Sequence, residues 1–372
     1  MNKKLSTVRI QNHRNPLTKT LAKLRDGKLT VGFIGGSITD GRNGLTWPEP
    51  VTAWFVQTFP DARIVVENAA IGGTGSALAC FRADQYLIDR KADLVFVEYA
   101  TNDWLLPPER NRRTQEGLIR KLLAAGCEVV LVYTFWQDMY ADMIAGRPPK
   151  TVVAWEKLAE HYGLGSVWMG MQGLREVCEG QMRWEEWMPD GVHPESRGSL
   201  SYGQSVTKFL ETELVGRGAK AAKKSASRRA LPAPLEPKNW QSAQPLDFSL
   251  VRTEGPWSVR RSQSRIWYDH VLQTAAPGAK LSFDFEGRAL VLGFDFDKTC
   301  ADFTYRLDGG QPIEVKCDER YEWASIYGWY YINILAEDLP KGKHHFEMEV
   351  VHGNRAGCAG TNCRLVLVGV VK

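Results

Sequence analysis

Two short polar motifs contain the residue types needed for nucleophilic attack on a carbonyl group. The first is Gly35-Gly36-Ser37-Ile38-Thr39-Asp40, in which two glycines would let the chain turn sharply and present the Ser37 hydroxyl. The second is Asp190-Gly191-Val192-His193-Pro194, with an aspartate and a histidine three residues apart in an expected turn. At this spacing the carboxylate of Asp190 can hold the Nδ1 proton of His193, which leaves Nε2 free to act as a base.

Two further motifs lie between these and could supply hydrogen-bond donors. Residues 68–76 form a glycine-rich stretch that contains Gly73, and it is neither G-x-G-x-x-G nor a P-loop because no lysine follows the glycines. Ala100-Thr101-Asn102-Asp103-Trp104 places a side-chain amide directly after an apolar run. Each motif alone also fits an ordinary role, namely a helix N-cap at Ser37, tight turns in the middle motifs and a satisfied loop histidine. Together they supply a nucleophile, oxyanion donors, a base and an orienting carboxylate, which favours acyl transfer.

The elements that must position these motifs alternate between strand and helix. Central strands that are apolar on both faces are typical of a parallel sheet covered by helices. Three of the motifs follow three successive predicted strands, where open α/β sheets bind ligands. The predicted strands are 29–34, 62–67, 93–99 and 128–135, with a fifth beginning over 167–170, and the predicted helices are 49–59, 76–90, 108–125, 151–161 and 199–214.

The chain changes character after residue 214. Residues 217–229 contain six basic and no acidic residues, and three prolines follow, so 216–239 is predicted to be a linker or a segment running over the surface. A phosphate-binding tail stays open as the less favoured alternative. From residue 240 the apolar period is two, which is typical of a β-sandwich or jelly roll. Its predicted strands are 279–285, 289–294, 303–307, 313–316, 330–336, 345–351 and 364–371.

The four motifs resemble the sequence blocks of the SGNH, or GDSL-like, hydrolase family. The matches are Gly36-Ser37, Asn68 with Gly73, Asn102-Asp103, and Asp190 with His193, spread over roughly residues 28–214. The chain departs from the family pattern in two places, since block one reads Gly-Ser-Ile-Thr rather than Gly-Asp-Ser-Leu and Ala100 replaces a usual glycine. Neither departure removes a catalytic group. They point to a Gly-Gly-Ser-Ile-Thr variety that looks like bacterial carbohydrate esterases with an appended β-domain.

The resemblance implies a serine esterase that needs no cofactor. Its catalytic domain, residues 1–215, would be a flavodoxin-like three-layer α/β/α fold, followed by the linker and by an all-β sandwich, jelly-roll-like, at 240–372. Ser37, His193 and Asp190 would form the catalytic triad, and the backbone N–H groups of Ser37 and Gly73 with the Asn102 amide would form the oxyanion hole.

The substrate that this resemblance implies is a small acyl ester, above all an O-acetyl group on an oligosaccharide. Two alternatives stay open: a lipase- or thioesterase-like hydrolase of lipid or acyl substrates, and a non-catalytic carbohydrate-binding protein. The intact Ser37, Asn102 and His193 argue against the second, because a binding protein does not need all three.

Four other residues have weaker signals for substrate binding. Arg82, Trp104 and Trp136 follow the loops of the expected crevice and are candidates for shaping a substrate pocket. Trp329 belongs to an aromatic set that could stack on sugar rings, with core packing or a domain interface as the alternative. This set is Trp323, Trp329, Tyr330 and Tyr331. The histidines and cysteines between 344 and 363 fit no common zinc spacing, so no metal is predicted.

The composition narrows the class of protein. The 372 residues, of which 44% are hydrophobic and 24% charged, are ordinary for a globular protein of two or three domains. A net charge of +4 is too mild to indicate nucleic-acid binding, and no apolar run is long enough to predict a membrane span. No apolar segment follows the lysines near the N-terminus, so no secretory signal is expected. Seven scattered cysteines favour reduced thiols, and a cytoplasmic location is therefore expected.

Overall fold

The protein consists of two compact units. The computed structural model describes residues 5, 7–41, 44–216, 230–262, 265–317, 323–324 and 328–372, and the units are Met1–Gln241 and Ser242–Lys372. The predicted basic run at 217–229 lies outside the described residues. The predicted start of the second domain, residue 240, precedes the observed division by two residues because the Trp240 side chain is buried in the first unit.

An open, mostly parallel sheet lies at the centre of the first unit. Its strands are β1 (Gln11–Asn12), β2 (Lys28–Gly35), β3 (Arg63–Asn68), β4 (Leu94–Glu98), β5 (Glu128–Val132) and β6 (Gly165–Val167). The strand order is β1-β6-β5-β4-β2-β3, and only β1 pairs antiparallel to its neighbour. Strands β2 and β4 are buried along nearly their whole length, as the apolar runs predicted.

Helices cover this sheet in two groups. They are α1 (Thr18–Arg25), α2 (Pro48–Thr58), α3 (Ser76–Ala83), α4 (Pro108–Ala125), α5 (Tyr140–Ile144), α6 (Lys150–Tyr162), α7 (Met169–Cys178), α8 (Trp184–Trp187) and α9 (Ser196–Leu210). Helix α9 packs on α2, α7 and α8, whereas α4 packs on α3 and α6. The buried strands between the groups give the predicted three-layer α/β/α architecture. In the part of the chain that the structure describes, no helix combines the length and apolar character needed to cross a bilayer.

The sequence prediction fails at the last parallel strand. The fifth strand was expected over 167–170, but β6 ends at Val167 and α7 begins at Met169. The run Val-Trp-Met-Gly-Met is apolar at every position but the glycine, so its pattern does not distinguish a buried strand from a buried helix. The pattern also missed β1 and α1, since two residues of strand and eight of helix give little periodicity.

Residues 230–241, which we name the strap, run along helix α4. The buried carboxylate of Glu116 accepts hydrogen bonds from the backbone N–H groups of Leu235 at 2.7 Å and Glu236 at 2.6 Å. The Tyr162 hydroxyl donates to the same carboxylate. Part of the predicted linker is therefore a surface segment bound to the first unit.

A tryptophan anchors the end of the strap. Trp240 is 0% exposed, and its ring packs edge-on against Phe81 at 5.8 Å between centroids. A Cβ atom at Gly117 of α4 would lie 2.6 Å from the Trp240 backbone, so only glycine permits this approach. Arg120 adds hydrogen bonds to the Pro232 carbonyl and the Gln241 side chain, both at 2.8 Å.

The second unit is built from two antiparallel sheets. The strands are β7 (Ala243–Pro245), β8 (Arg252–Glu254), β9 (Ser258–Arg261), β10 (His270–Thr274), β11 (Lys280–Glu286), β12 (Ala289–Phe296), β13 (Asp302–Leu307), β14 (Ile313–Val315), β15 (Trp329–Ala336), β16 (Lys343–Val351) and β17 (Cys363–Val371). One sheet has the order β15-β12-β17-β10-β9, with β7 also paired to β17, and the other has the order β14-β13-β16-β11-β8.

Side chains from both sheets share one core. Phe283 and Phe346 of one sheet and Leu292 and Leu365 of the other are all 0% exposed and belong to the same cluster. This packing confirms the predicted β-sandwich. The seven predicted strands are present, but β7 to β10 were missed. Strands β8 and β9 are exposed along their whole length, so they have no buried face to produce alternation.

Candidate active site

Ser37, His193 and Asp190 form a continuous hydrogen-bonded chain. Ser37 Oγ lies 2.7 Å from His193 Nε2, and His193 Nδ1 lies 2.7 Å from Asp190 Oδ2. Ser37 lies two residues beyond the end of β2, at the carboxyl edge of the sheet, and the histidine and aspartate lie in the loop between α8 and α9. In this arrangement Nε2 can take the hydroxyl proton while the carboxylate holds the other ring nitrogen.

The loop that carries the histidine is fixed by the same carboxylate. Asp190 Oδ1 accepts hydrogen bonds from the backbone N–H groups of His193 at 2.7 Å and Val192 at 2.9 Å. Partial burial acts to raise the pKa of Asp190, but the hydrogen bonds from His193 and Val192 outweigh it and hold the pKa below its usual value. Gly191 has φ +82°, and a Cβ atom there would lie 2.5 Å from Gln137 Oε1, so the turn requires glycine.

The Asn102 side chain lies against the turn that carries the serine. Asn102 lies four residues beyond the end of β4 and begins a short 3₁₀ turn, Asn102–Leu105. A Cβ atom at Gly36 would lie 2.1 Å from Asn102 Oδ1 and 2.9 Å from Nδ2. Glycine at this position therefore lets the amide approach the backbone beside Ser37, where the predicted oxyanion hole requires it.

The glycine-rich loop after β3 is tied to the same turn. Asn68 Nδ2 donates to the Thr39 carbonyl at 2.8 Å, and the Gly72 N–H donates to Asp40 Oδ2 at 2.9 Å. Gly73 comes next and has φ +72°, a left-handed conformation that favours glycine. The predicted oxyanion residues thus lie on loops that are joined to the serine turn.

Asp103, the second residue of the Asn-Asp pair, has a structural role. Its buried carboxylate accepts hydrogen bonds from the backbone N–H of Ser76 at 3.0 Å and from Gln115 Nε2 at 2.9 Å. Burial raises the pKa of Asp103 to about 6, although these hydrogen bonds act to lower it. The contact anchors the start of α3, the helix that follows the glycine-rich loop.

Sequence reasoning missed one carboxylate beneath the site. Glu98 ends β4, is 0% exposed and accepts hydrogen bonds from the hydroxyls of Thr134 at 2.6 Å and Thr39 at 3.0 Å. Burial raises the pKa of Glu98 to about 7, against hydrogen bonds that lower it. The signal in the sequence was a glutamate at the end of an otherwise apolar strand. A carboxylate buried there needs hydrogen-bond donors, so its position indicates polar partners nearby.

Arg82 does not line a substrate pocket as the sequence suggested. Its side chain is 5% exposed, and Nη2 donates to the Ala69 carbonyl at 2.7 Å. The guanidinium also lies 5.0 Å from the ring centre of Tyr86. The guanidinium lies inside the protein, where it donates to the carbonyl of the glycine-rich loop. Arg82 therefore supports that loop from the buried side.

The two predicted tryptophans of the first unit lie in loops at the carboxyl edge of the sheet. Trp104 is half-buried in the 3₁₀ turn after β4, with Lys150 Nζ 4.4 Å from its ring centre. Trp136 is half-buried in the loop after β5. Their positions on the same edge as Ser37 agree with a pocket role, which stays a prediction for both.

The predicted aromatic set of the second unit divides into two parts. Tyr330 is 5% exposed and packs edge-on against Tyr268 at 5.3 Å between ring centres, so it belongs to the core. Trp329 instead contacts Trp323 at 5.3 Å and Tyr331 at 4.9 Å. Trp323 is exposed and the other two rings are half-buried, and sugar stacking by Trp329 stays a prediction.

A family comparison identifies the class of the first unit. Residues 33–199 match the model of the GDSL-like Lipase/Acylhydrolase family. The matched segment begins within β2 and ends in α9, so it contains Ser37, Asp190 and His193. The match lies within the first unit and confirms the predicted likeness to SGNH-type ester hydrolases, with the β-sandwich as an appended unit.

Solved structures of a two-domain esterase, CEX, described as active on acetylated mannans, resemble the whole chain. The structure co-crystallised with mannopentaose has a TM-score of 0.80 at 24% identity and covers 98% of this chain and 97% of that chain. A second CEX structure has a TM-score of 0.79 at 24% identity, covering 96% of this chain and 95% of that chain. At this identity the likeness shows the fold of both units. The comparison with curated protein sequences gave no match.

Proposed function

We propose that the protein is a serine esterase that removes O-acetyl groups from oligosaccharides. The observation that carries this proposal is the hydrogen-bonded chain Ser37–His193–Asp190 at the carboxyl edge of a GDSL-like domain. The sugar substrate is supported by the full-length likeness to an esterase active on acetylated mannans. Acetylated manno-oligosaccharides are therefore the first substrates to test.

The proposed reaction proceeds through an acyl-enzyme. His193 Nε2 takes the proton from Ser37 Oγ as that oxygen attacks the acetyl carbonyl carbon. Asp190, whose pKa is held low, stays ionised and stabilises the imidazolium. The backbone N–H groups of Ser37 and Gly73 and the Asn102 amide stabilise the negative charge on the carbonyl oxygen.

The same histidine completes the cycle. His193 returns its proton to the sugar oxygen, which leaves as the alcohol while the acetyl group stays on Ser37. Water then attacks this acetyl-serine with His193 again as the base, and acetate is released with the Ser37 hydroxyl restored. In this sequence the triad and the oxyanion donors are the protein groups that act on the substrate and on the attacking water.

Acyl-chain preference tests the proposal against its alternatives. We expect hydrolysis of p-nitrophenyl acetate to exceed that of the butyrate and octanoate esters, and acetate release from a panel of acetylated oligosaccharides. Ser37→Ala is the control for turnover that depends on the nucleophile. A strong octanoate preference would favour a lipase- or thioesterase-like hydrolase. No turnover on any ester would favour a carbohydrate-binding protein.

We also propose that the second unit helps to select the sugar substrate. Trp329 is the candidate, since it is a partly buried tryptophan on β15 with two aromatic neighbours. Trp329→Ala should keep p-nitrophenyl acetate hydrolysis within about tenfold and lose much more activity on acetylated oligosaccharide, because only the large substrate uses remote contacts. Trp257→Ala, a partly buried tryptophan packed on the sandwich core, is the matched control. Equal losses on both substrates would show that Trp329 is structural.

A reducing cellular compartment is part of the proposal. All seven cysteines lie within the described residues, and each is a free thiol. Free thiols persist in the cytoplasm, where the substrate would be an oligosaccharide that has already been imported. Cell fractionation followed by the acetylesterase assay tests this location, and activity confined to the extracellular fraction would contradict it.

A further inference from the structure

A buried carboxylate lies directly beneath the serine turn, and the reaction described above does not use it. Glu98 Oε2 accepts hydrogen bonds from the Thr39 hydroxyl at 3.0 Å and from the Gly36 N–H at 3.4 Å. Both donors belong to the turn that carries Ser37. The same turn is closed by hydrogen bonds from the N–H groups of Thr39 and Asp40 to the Gly36 carbonyl, each at 3.1 Å.

The second carboxylate oxygen is held from a neighbouring strand. Glu98 Oε1 accepts a hydrogen bond at 2.6 Å from the hydroxyl of Thr134, which follows β5. Thr134 Oγ1 in turn lies 2.7 Å from Thr101 Oγ1, beyond the end of β4. On the other side, Trp47 Nε1 donates to the Thr39 hydroxyl at 3.0 Å. The carboxylate thus joins the serine turn to the ends of two central strands.

We propose that Glu98 is a positioning residue that holds the serine turn in its reactive geometry. The inference rests on the proposed esterase function, because the geometry matters only if Ser37 attacks a carbonyl. Three donors converge on this one side chain, and an apolar residue in its place would remove the buried acceptor of the two that belong to the serine turn, the Gly36 N–H and the Thr39 hydroxyl. A displacement of about 1 Å at a reacting group can reduce its rate about 100-fold.

The groups around Glu98 set its pKa, and therefore the pH at which its hydrogen bonds to the serine turn change. Burial raises the pKa of Glu98 to about 7; the hydroxyls of Thr134 and Thr39 and the Gly36 N–H lower it, and the Asp103 carboxylate adds to the rise. From α9 the Tyr202 hydroxyl also faces this charge, and Tyr99 follows it along the chain. Above about pH 7 the ionised carboxylate accepts all three donors, whereas the protonated form carries a hydrogen that must itself be donated.

A pair of matched threonine variants tests the proposal. Thr39→Val and Thr134→Val each remove one hydroxyl donor from Glu98, but only Thr39 belongs to the serine turn. For p-nitrophenyl acetate at pH 8 we expect Thr39→Val to lower kcat at least tenfold with KM changed less than threefold. Thr134→Val should keep kcat within threefold. Melting temperatures measured alongside separate loss of stability from loss of positioning.

Variants at Glu98 itself add a pH readout. Glu98→Gln can keep an oxygen toward Thr39 and Gly36 while its amide nitrogen donates to the Thr134 oxygen, so it should retain most of the wild-type kcat. We expect the wild-type kcat to include a step near pH 7 that comes from ionisation of Glu98, and Glu98→Gln should lose that step. Glu98→Leu removes every acceptor and should lower kcat roughly 10- to 100-fold.

Phosphonylation of Ser37 separates failure of this inference from failure of the proposed function. A fluorophosphonate forms a bond from Ser37 Oγ to phosphorus and releases fluoride, so its rate reports the nucleophile without an acetyl substrate. We expect this rate to fall in Thr39→Val and not in Thr134→Val. If the wild type is active but the two threonine variants lose kcat and labelling equally, in step with melting temperature, Glu98 is only structural and the inference is wrong. If the wild type neither hydrolyses esters nor reacts with the probe, the proposed function fails, and the inference fails with it.

Discussion

Replacing Gly36 with alanine should disable the active site by displacing a neighbour. The added Cβ atom would lie 2.1 Å from Asn102 Oδ1 and 2.8 Å from its Cγ, whereas ordinary contact begins near 3.4 Å. The Asn102 side chain must therefore move by more than about 1 Å. Loss of one oxyanion donor lowers kcat by about 10² to 10³, or roughly 3–4 kcal/mol. We expect KM to change much less, because the charge on the carbonyl oxygen develops only in the transition state.

A double-mutant cycle makes this prediction specific. We would measure kcat and KM on p-nitrophenyl acetate for Gly36→Ala, Asn102→Ala and the double variant, with melting curves to confirm folding. Asn102→Ala removes both the donor and the obstacle to the new Cβ atom. The double variant should therefore be no slower than Asn102→Ala alone, although each single variant is 10² to 10³ slower than wild type.

Two results would refute this reasoning. If folded Gly36→Ala keeps more than about a tenth of the wild-type kcat, the clash with Asn102 does not matter for catalysis. If the losses of the two single variants multiply in the double variant, Gly36 acts by a route other than Asn102. A change confined to KM in Asn102→Ala would make this amide a substrate-binding group rather than an oxyanion donor.

Ser37→Ala should lower kcat by about 10⁴ to 10⁶ with an unchanged melting temperature, and retention of more than roughly a tenth of the activity would contradict the mechanism. Trp240→Ala should reduce the free energy of unfolding of the first unit by about 3–5 kcal/mol in chemical denaturation, with kcat of the folded protein nearly unchanged; an unaltered midpoint would show that the strap is dispensable. Glu98→Gln should gain stability relative to wild type as pH rises. The folded pKa of Glu98 is raised to about 7, so its stabilising protonated form is lost as pH rises from about 4.5 to about 7, at a cost of roughly 3 kcal/mol. A pH-independent difference between pH 5 and pH 8 would contradict that sign.

The sequence predicted the strands whose side chains are buried in a regular pattern, either on both faces or on alternate residues. Strands β2 and β4 are buried on both faces, so their apolar runs were clear, and the period-two runs of β11 and β16 showed the sandwich. The four motifs were found because each directly follows or precedes such an element. Strands β8 and β9 were missed because they are fully exposed and are defined by backbone pairing with β11 and β10 rather than by an apolar pattern.

Within the site, the residues of the proposed triad were easier to predict than those that support them. Ser37 and His193 stand in motifs whose spacing already indicates their chemistry. Arg82 was misjudged, since nothing local shows that its guanidinium meets the Ala69 carbonyl inside the protein. Glu98 was missed for the same reason, because its partners Thr39 and Thr134 come from two other strand ends.

The strap has a consequence for how this protein is made on the ribosome. Helix α4 leaves the ribosome more than a hundred residues before Trp240. Glu116 and Gly117 therefore lack their contacts with the strap until the strap has been translated. All four sequence motifs precede the strap in the chain, so they are translated before the first unit has its last packing contacts. A premature stop codon between residues 214 and 240 would therefore release a chain that keeps every proposed catalytic residue but lacks the Trp240 ring that packs on Phe81. Exposed apolar surface of this kind is what cellular quality control recognises.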